Sequence, residues 1–519
     1  MTHPLVSHVG FFRGIFDRFR RRLDVDRLLS NGSHLFAYWA VSLTVLLLCA
    51  LRAYRGHWVG DFFEHAAVVR ELARHPWHPQ HPLLVVQSTH AFFSPYHLAL
   101  GLVCRWLGCS PFSALAVVGI VNLTLVFLFL HRLMTRLSVG GHLAAPYALI
   151  FILFFWGSEA WSWSGFLHWF ALPHVAPYPS TFAAALTLLS LSLLLDYLAQ
   201  PRLWRLVALG LLTALTLLEH PPTAVVLLAS LLVVLVTSRG PDWIRRAVPV
   251  VLTVALATAL AIAWPYFSLL SLLTTRFPDI DKYCLSMYER TLVRIWPAVV
   301  LLPAALWRLR SDRRSPAVFI FAFLGTIYCI GAASGAYALG RVIAWVVVFV
   351  HISAAQWAPV LYDKLGGNRR LLVPALTLLA AVGLIAVNRA PLQRASRATG
   401  QQTWQSMAAV LGPVGEDDVV LSDLDTSYMI PALTGKVVAS IHCTGCQMRK
   451  QREQDLLSFF LPTTADLDRM ATLSRYGAHW MLINEASPEL SASERARLEK
   501  LGQVVARAGA LTLLTTAPH

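Results

Sequence analysis

Long apolar runs dominate the chain up to about residue 388, and most are close to the length that crosses a membrane. A bilayer core of about 30 Å needs roughly 20 consecutive apolar residues in a helix. Such runs lie near residues 35–53, 112–132, 142–158, 181–199, 203–219, 222–238, 246–270, 293–308, 316–334, 341–361 and 370–388. The pattern predicts a polytopic α-helical membrane protein with about eleven transmembrane helices.

A twelfth apolar run, Phe92–Leu107, is shorter and carries Pro95, His97 and Arg105. Arginine and lysine favour the cytoplasmic ends of spans. If this run lies along the outer membrane surface, the basic clusters share one side of the membrane. Those clusters lie near residues 13–27, 132–136, 202–205, 239–246, 308–314 and 364–370. We therefore predict eleven spans, a cytoplasmic N-terminus and an extracytoplasmic C-terminus.

Composition excludes a soluble enzyme and a disordered protein. Of 519 residues, 56% are apolar and 14% are charged, against about 25% charged in ordinary soluble domains. The net charge of +15 is expected to set orientation rather than to bind nucleic acid. The basic segment 1–33 contains the amphipathic stretch Phe11–Asp26, which predicts either a helix on anionic lipid or a solvated stop signal. Residues 34–388 then form the transmembrane domain, with a long first outer loop at 54–111.

The composition changes after residue 388, and residues 389–519 predict a small α/β domain outside the membrane. We expect strands at Val419–Ser422, Lys436–Ile441, Trp480–Ile483 and Thr512–Leu514, and helices at Trp404–Leu411, Ser427–Leu433, Gln451–Phe460, Ala465–Tyr476 and Ser491–Leu501. Cys443 and Cys446 form a C-T-G-C motif. In an oxidising compartment this motif indicates a local disulfide or a redox pair, and we favour the disulfide.

The first outer loop opens with two acidic residues, Asp61 and Glu64, on a predicted amphipathic helix. A carboxylate at the membrane–water boundary is partly desolvated, which makes Asp61 a better proton acceptor. Asp61 followed three residues later by Glu64 also resembles a capping box. The two roles do not exclude each other.

Histidines and aromatic residues are concentrated in the outer loops. His75, His78 and His81 are spaced by three, but the prolines between them favour an extended loop over a metal site. The second outer loop, 159–180, has no Lys or Arg, and its aromatic side chains either stack on sugar rings or anchor at lipid headgroups. The candidate substrate-binding residues are His65, Tyr96, His97, His168, His174 and Tyr178.

The third outer loop and a late span carry the candidate anion-binding residues. Asp279 and Asp281 form a D-x-D motif, which either holds a divalent cation such as Mg²⁺ or Mn²⁺ or belongs to a solvated loop; the sequence requires no other cofactor. Arg276 and Lys282 beside it are suited to a phosphate. Arg341 opens an otherwise apolar helix, where it either snorkels or meets a lipid phosphate.

This arrangement resembles the GT-C superfamily of membrane glycosyltransferases. Members have a first span, a long outer loop that opens with an acidic residue, a juxtamembrane helix and then a second span. Gly60–Glu64 and Ser94–Gly108 match that order. Many members also carry Arg-Tyr near the outer start of a late span; here Arg341 takes the place of the Arg, and Val342 replaces the Tyr.

The resemblance implies an inverting glycosyltransferase that takes a sugar from a polyprenyl-phosphate donor. Asp61, with Glu64 as the second catalytic candidate, would deprotonate an acceptor hydroxyl on a glycan, lipid or protein. Arg341, with Arg276 or Lys282, would stabilise charge on the departing phosphate. The site would lie at the outer face of a bacterial inner membrane, and no nucleotide site is needed.

A transporter or flippase of lipid-linked sugar, or a scaffold of an envelope polysaccharide complex, is the competing interpretation. A transporter typically shows internal repeats and polar groups near the middle of the bilayer. The polar residues here gather at the outer helix ends. That distribution favours chemistry at one face over passage through the membrane.

Overall fold

The computed structural model describes residues 25–137, 141–238, 240, 242–275, 278–365, 371–387, 400–441, 448–487 and 490–516. Most of the predicted amphipathic stretch Phe11–Asp26 lies outside the described residues, and so do Arg276, Cys443 and Cys446. The described chain forms a large helical bundle followed by a small domain built on a sheet.

Seventeen α-helices make up the described part of the bundle and its loops. They are α1 (Val25–Tyr54), α2 (Phe62–Arg74), α3 (Pro95–Leu107), α4 (Pro111–Leu137), α5 (Gly141–Phe154), α6 (Leu172–Val175), α7 (Pro179–Ala199), α8 (Leu203–Glu219), α9 (Pro221–Thr237), α10 (Trp243–Ile262), α11 (Leu269–Thr274), α12 (Pro278–Cys284), α13 (Thr291–Ser311), α14 (Pro316–Ser334), α15 (Ile343–Ala355), α16 (Ala358–Leu365) and α17 (Leu372–Val387).

Helices stand at all eleven predicted span positions. Seven are long and apolar enough to cross a membrane, and α5, α9 and α17 are shorter apolar helices. The run Phe92–Leu107 forms the separate short helix α3, whose N-terminus is capped by Ser94. The polytopic helical fold is confirmed, whereas the number of crossings and their orientation stay predictions.

One predicted span, 142–158, is shorter than its apolar run suggests, because α5 ends at Phe154. The chain then passes close to α13, where the N–H of Gly157 donates to the carbonyl of Arg294 at 2.8 Å. A Cβ on Gly157 would lie 1.9 Å from the carbonyl oxygen of Val293, so this approach needs glycine.

Two further predicted spans differ from the structure at their ends. In the run 246–270, α10 ends at Ile262, three residues before Pro265, which has no backbone N–H to donate, and α11 begins at Leu269. The run 341–361 begins in a 3₁₀-helix, Tyr337–Val342, and continues as α15 and α16.

The C-terminal domain surrounds a five-stranded mixed sheet. Its strands are β1 (Val419–Leu421), β2 (Lys436–Val437), β3 (Ala478–Asn484), β4 (Gln503–Ala508) and β5 (Leu511–Thr515), in the spatial order β2-β1-β3-β5-β4. Its helices are α18 (Gly400–Val410), α19 (Leu424–Ser427), α20 (Ile430–Leu433), α21 (Arg449–Phe460), α22 (Asp466–Tyr476) and α23 (Ala492–Leu498). Strand β1 pairs in parallel with β2 and β3, and β5 pairs antiparallel with β3 and β4.

The domain is joined to the bundle through the part of the first outer loop that lies between α2 and α3. Leu84 in this loop bridges in parallel to Val437 of β2, and the N–H of Val437 donates to the carbonyl of Leu83 at 2.8 Å. The loop thereby extends the sheet beyond its β2 edge. At least one edge group of β2, the N–H of Val437, is thus paired with the bundle's own chain.

A buried ion pair lies beside this bridge. Lys436 Nζ donates to Glu71 Oε2 of α2 at 2.9 Å and to the carbonyl of His81 at 2.8 Å. The Glu71 and Lys436 side chains are only 2% and 3% exposed. Burial is the largest single effect and raises the pKa of the Glu71 carboxyl. The positive charge of Lys436, together with hydrogen bonds from Lys436, the Gln80 N–H and His75, nevertheless holds that pKa below its usual value.

We expect Lys436→Met to destabilise the contact between the domain and α2 by about 3–5 kcal/mol, because it leaves the Glu71 carboxylate buried without its cation. Thermal unfolding of the purified protein in detergent, with limited proteolysis of the domain, measures the effect. Arg507→Met is the matched control, since Arg507 pairs with Glu499 on the surface with 55% of its side chain exposed, where a pair contributes about 0–1 kcal/mol. Equal stability of the two variants would contradict the role of the pair.

Candidate functional site

Two adjoining cavities have volumes of about 370 and 320 Å³. The larger lies where the bundle meets the C-terminal domain, whereas the smaller is lined by residues of the bundle and its loops. Both are within the usual size range of small-ligand sites. The side chains that line both are Asp61, Ser164, Tyr178, Tyr283 and Arg341. One predicted acid–base residue and one predicted phosphate-binding residue therefore face the same space.

Asp61 is placed by the turn that connects α1 to α2. Gly60 before it has φ +63°, a left-handed conformation that favours glycine. Asp61 stands at the N-cap position of α2 in the αR conformation, but its side chain makes no capping hydrogen bond. The half-buried Asp61 carboxylate lines both cavities instead.

Glu64 lies one helical turn further along α2, and its contact is with the first loop. Its carboxylate pairs with His90 Nε2 at 3.2 Å, with both side chains largely buried. Glu64 is not among the residues that line the two cavities. The pair accordingly ties α2 to the segment between α2 and α3. Of the two predicted carboxylates, Asp61 is the one that would face a ligand bound in the cavities.

Arg341 is held at the end of the 3₁₀-helix before α15. Its guanidinium donates to Ser164 Oγ at 2.7 Å and lies 5.9 Å from the ring of Trp163. Trp163 stacks on Tyr283 with ring centroids 4.3 Å apart, and both rings line the smaller cavity. An anionic ligand there would meet a cation beside an aromatic wall.

The second loop contributes two of the predicted substrate-binding residues, His174 and Tyr178. His174 Nδ1 accepts a hydrogen bond from Arg52 at 2.9 Å. Burial, reinforced by the charge of Arg52, lowers the pKa of His174 to about 4, so this imidazole is neutral near pH 7. Burial and the negative charge of Asp61 raise the pKa of Tyr178.

The structure brings Asp61, His65, Tyr178 and Arg341 together at the larger cavity, and His174 joins the smaller one. Besides Glu64 and Asp281, four predicted residues do not line either cavity. Tyr96 OH donates to the carbonyl of Pro177 at 2.7 Å, and His168 Nε2 contacts the carbonyl of Trp161 at 2.9 Å. His97 is fully buried, and Lys282 is exposed.

Several cavity residues were not predicted from the sequence. They are Ser164, Glu219, His220, Tyr283, Ile441 and Arg449. Glu219 and His220 adjoin the Pro-Pro pair at a helix junction, which suggested only helix ends. An ionisable pair between two apolar helices was the signal that could have identified them.

Arg449 is a contribution of the C-terminal domain. It opens α21, and its Nε donates to Glu453 Oε1 at 2.7 Å. With Ile441 it forms the domain's side of the larger cavity. The domain is thus part of the wall of the site rather than a separate appendage.

The described residues assemble no cluster of three or more His, Cys, Asp or Glu side chains suited to a cation. Asp281 Oδ1 accepts a hydrogen bond from the N–H of Ala338 at 3.2 Å, which ties α12 to the 3₁₀-helix of Arg341. The side chain of Asp279 lies outside the described part of the chain.

Comparison by sequence finds no matching protein-family model and no matching curated protein. Comparison of structures finds ArnT from Cupriavidus metallidurans, solved with undecaprenyl phosphate, at a TM-score of 0.54 and 15% identity over 92% of this chain and 97% of that one. It also finds AglB, an oligosaccharyltransferase from Archaeoglobus fulgidus. AglB solved with an inhibitory peptide and a dolichol-phosphate matches at a TM-score of 0.51 and 12% identity, over 85% of this chain and 69% of that one.

A structure of the same archaeal enzyme with Zn and sulfate matches at a TM-score of 0.52 and 12% identity, over 85% of this chain and 68% of that one. Identities this low show a common fold rather than a common reaction. The chain therefore shares its fold with ArnT and AglB.

Proposed function

We propose that this protein is an inverting glycosyltransferase that moves a sugar from a polyprenyl-phosphate donor to an acceptor hydroxyl. The observation that carries the proposal is the position of Asp61 and Arg341 on one cavity. The fold supports it, because solved proteins of this fold bind undecaprenyl phosphate and a dolichol-phosphate. The site would lie at the outer face of a bacterial inner membrane.

In the proposed reaction the Asp61 carboxylate accepts the proton of the acceptor hydroxyl. The acceptor oxygen forms a bond to the anomeric carbon from the side opposite the lipid phosphate, and the bond from that carbon to the phosphate oxygen breaks. The electron pair leaves with the phosphate, whose charge the Arg341 guanidinium stabilises. Attack from the opposite side inverts the anomeric configuration.

The aromatic wall and the C-terminal domain supply the remaining contacts in this proposal. Trp163 and Tyr283 stack on each other and offer aromatic surface to a sugar ring. Arg449 and Ile441 lie on the domain side of the larger cavity, where an acceptor could enter between domain and bundle. We assign acceptor binding to the domain on that basis.

We expect Asp61→Asn to lower transfer by about 10²–10⁴-fold, the usual contribution of a general base. The assay uses purified protein with radiolabelled polyprenyl-phosphate sugars and extracted envelope acceptors. Asp242→Asn is the matched control, because Asp242 is exposed beside Arg246 at the start of α10 and lines neither cavity. Equal transfer by the Asp61 variant would remove this carboxylate from the mechanism. Lipid-linked sugar that crosses vesicles without transfer would favour a flippase.

We expect Arg341→Gln to weaken binding of undecaprenyl phosphate by about 10- to 100-fold, because a charge-assisted hydrogen bond contributes about 1.5–3 kcal/mol. Binding of the lipid to the purified protein in detergent, followed by quenching of tryptophan fluorescence, measures the loss. Arg310→Gln is the control, since Arg310 packs over Trp307 at the C-terminal end of α13 and lines neither cavity. The same affinity in both variants would contradict a phosphate contact at Arg341.

The predicted orientation has its own test. Reporter fusions at Gln87 and Ala465 should be active only outside the cytoplasm, whereas a fusion at Arg313 should report the cytoplasm, as the distribution of basic residues requires. A cytoplasmic signal from Ala465 would overturn the orientation.

A further inference from the structure

A continuous row of hydrogen bonds runs from one wall of the larger cavity to another through the protein interior. His65 Nδ1 lies 2.9 Å from His97 Nε2, and His97 Nδ1 lies 2.9 Å from Ser94 Oγ. Ser94 Oγ lies 2.6 Å from Glu219 Oε2. His65 and Glu219 line the cavity, whereas Ser94 and His97 are 2% and 0% exposed.

Packing holds this row in register. The rings of His65 and His97 are nearly parallel, at 13°, and Phe92 stacks on both. The other carboxylate oxygen of Glu219 accepts the N–H of Tyr96 at 2.8 Å. Three separate helices, α2, α3 and α8, therefore contribute one row with fixed spacing.

The hydrogen bonds of the row can all point in either of two directions. Where Glu219 is ionised, Ser94 donates to Glu219, His97 Nδ1–H donates to Ser94, and His65 Nδ1–H donates to His97 Nε2. Nε2 of His65 is then the acceptor at the cavity end. When the row holds one more proton, each donor and acceptor exchange roles, and Glu219 is a neutral acid that donates to Ser94.

Burial favours passage of a proton over storage of a charge on the imidazoles. Burial, followed by the neighbouring His65 and His90, lowers the pKa of His97 well below its usual value. Among the described residues no cation lies within ion-pair distance of Glu219. A buried carboxylate without a cation is costly, and a proton delivered to it removes that cost.

We propose that His65, His97, Ser94 and Glu219 form a proton-transfer chain that serves the cavity. The source of the proton rests on the proposed function, in which Asp61 takes it from the acceptor hydroxyl. Asp61 and His65 are four residues apart on α2, and so share one helix face.

In the transfer, the O–H bond on Asp61 breaks and an N–H bond forms at His65 Nε2. The Nδ1 proton of His65 passes to His97 Nε2, the Nδ1 proton of His97 passes to Ser94, and the Ser94 hydroxyl proton passes to Glu219. Asp61 is again a carboxylate, and Glu219 is neutral. Glu219 then loses its proton to water in the cavity, which completes the transfer of the proton from Asp61 to water. The two imidazoles return to their first tautomers, and the Ser94 hydroxyl to its first orientation, before the next transfer.

The groups around the chain define what else titrates there. Asp61 and the Glu64–His90 pair face it from α2 and the first loop. Tyr178 contacts the His65 ring. His220 follows Glu219, and burial, then the charge of Arg341, keeps the pKa of His220 well below its usual value.

The chain is tested first without any substrate. Infrared difference spectra of the full-length protein, recorded on acidification in detergent, report protonated carboxyl groups and imidazole tautomers. We expect a carboxyl band that Glu219→Gln abolishes, together with an imidazole response that is lost in the same variant. In Ser94→Ala the carboxyl band and the imidazole response should no longer change together. In Ser94→Thr, which restores the hydroxyl and the N-cap, they should change together again.

Glu159→Gln is the control for removal of a carboxyl group, because Glu159 is exposed and pairs with Arg290; its spectrum should match that of the unaltered protein. A carboxyl band unchanged in Glu219→Gln, or an imidazole response unchanged in both Glu219→Gln and Ser94→Ala, would overturn the chain.

Kinetics then connect the chain to the reaction. With polyprenyl-phosphate sugar as donor, Glu219→Gln should lower kcat by about 10²-fold with KM unchanged and alter the solvent isotope effect. A KM change alone would contradict proton transfer and indicate a structural role. Failure of the unaltered protein to transfer any sugar would reject the proposed function, and the infrared result would still decide whether the chain exists.

Discussion

The buried contact between Glu71 and Lys436 constrains the rest of the site. Glu71 belongs to α2, the helix that begins at Asp61 and carries His65. Lys436 begins the strand that pairs with the first loop. Since both charges are almost fully buried, any displacement of the domain from α2 would leave each charge without its partner. The same contact therefore holds α2 and the domain side of the larger cavity in place together.

The two cavities combine neutral histidine side chains with positively charged arginine side chains. The imidazoles of His174 and His220 are kept neutral by burial and by nearby guanidinium groups. The positive charge that lines the larger cavity comes from the guanidinium groups of Arg341 and Arg449. An anion bound in the cavity would meet these two groups beside neutral imidazoles.

Much of the fold could be predicted from the sequence, because long apolar runs and basic clusters indicate helix positions directly. The residues that line the cavity could be predicted only in part. Asp61 and Arg341 stand next to helix ends and were recognised, but the sequence could not tell which way Glu64 points. Glu219 was missed because its partners, Ser94 and Tyr96, are about 120 residues away. Strand β4 was missed because its residues are mostly exposed and carry no alternating apolar pattern.

The bridge between Leu84 and Val437 has a consequence for biosynthesis. The two strands are separated by most of the chain, and the ion pair beside them joins residues 365 positions apart. A ribosome adds about 5–20 residues per second, so the first loop waits tens of seconds for the segment that completes it. A chain that ended before residue 436 would leave Glu71 without the ammonium group of Lys436 and the carbonyl of Leu83 without the N–H of Val437.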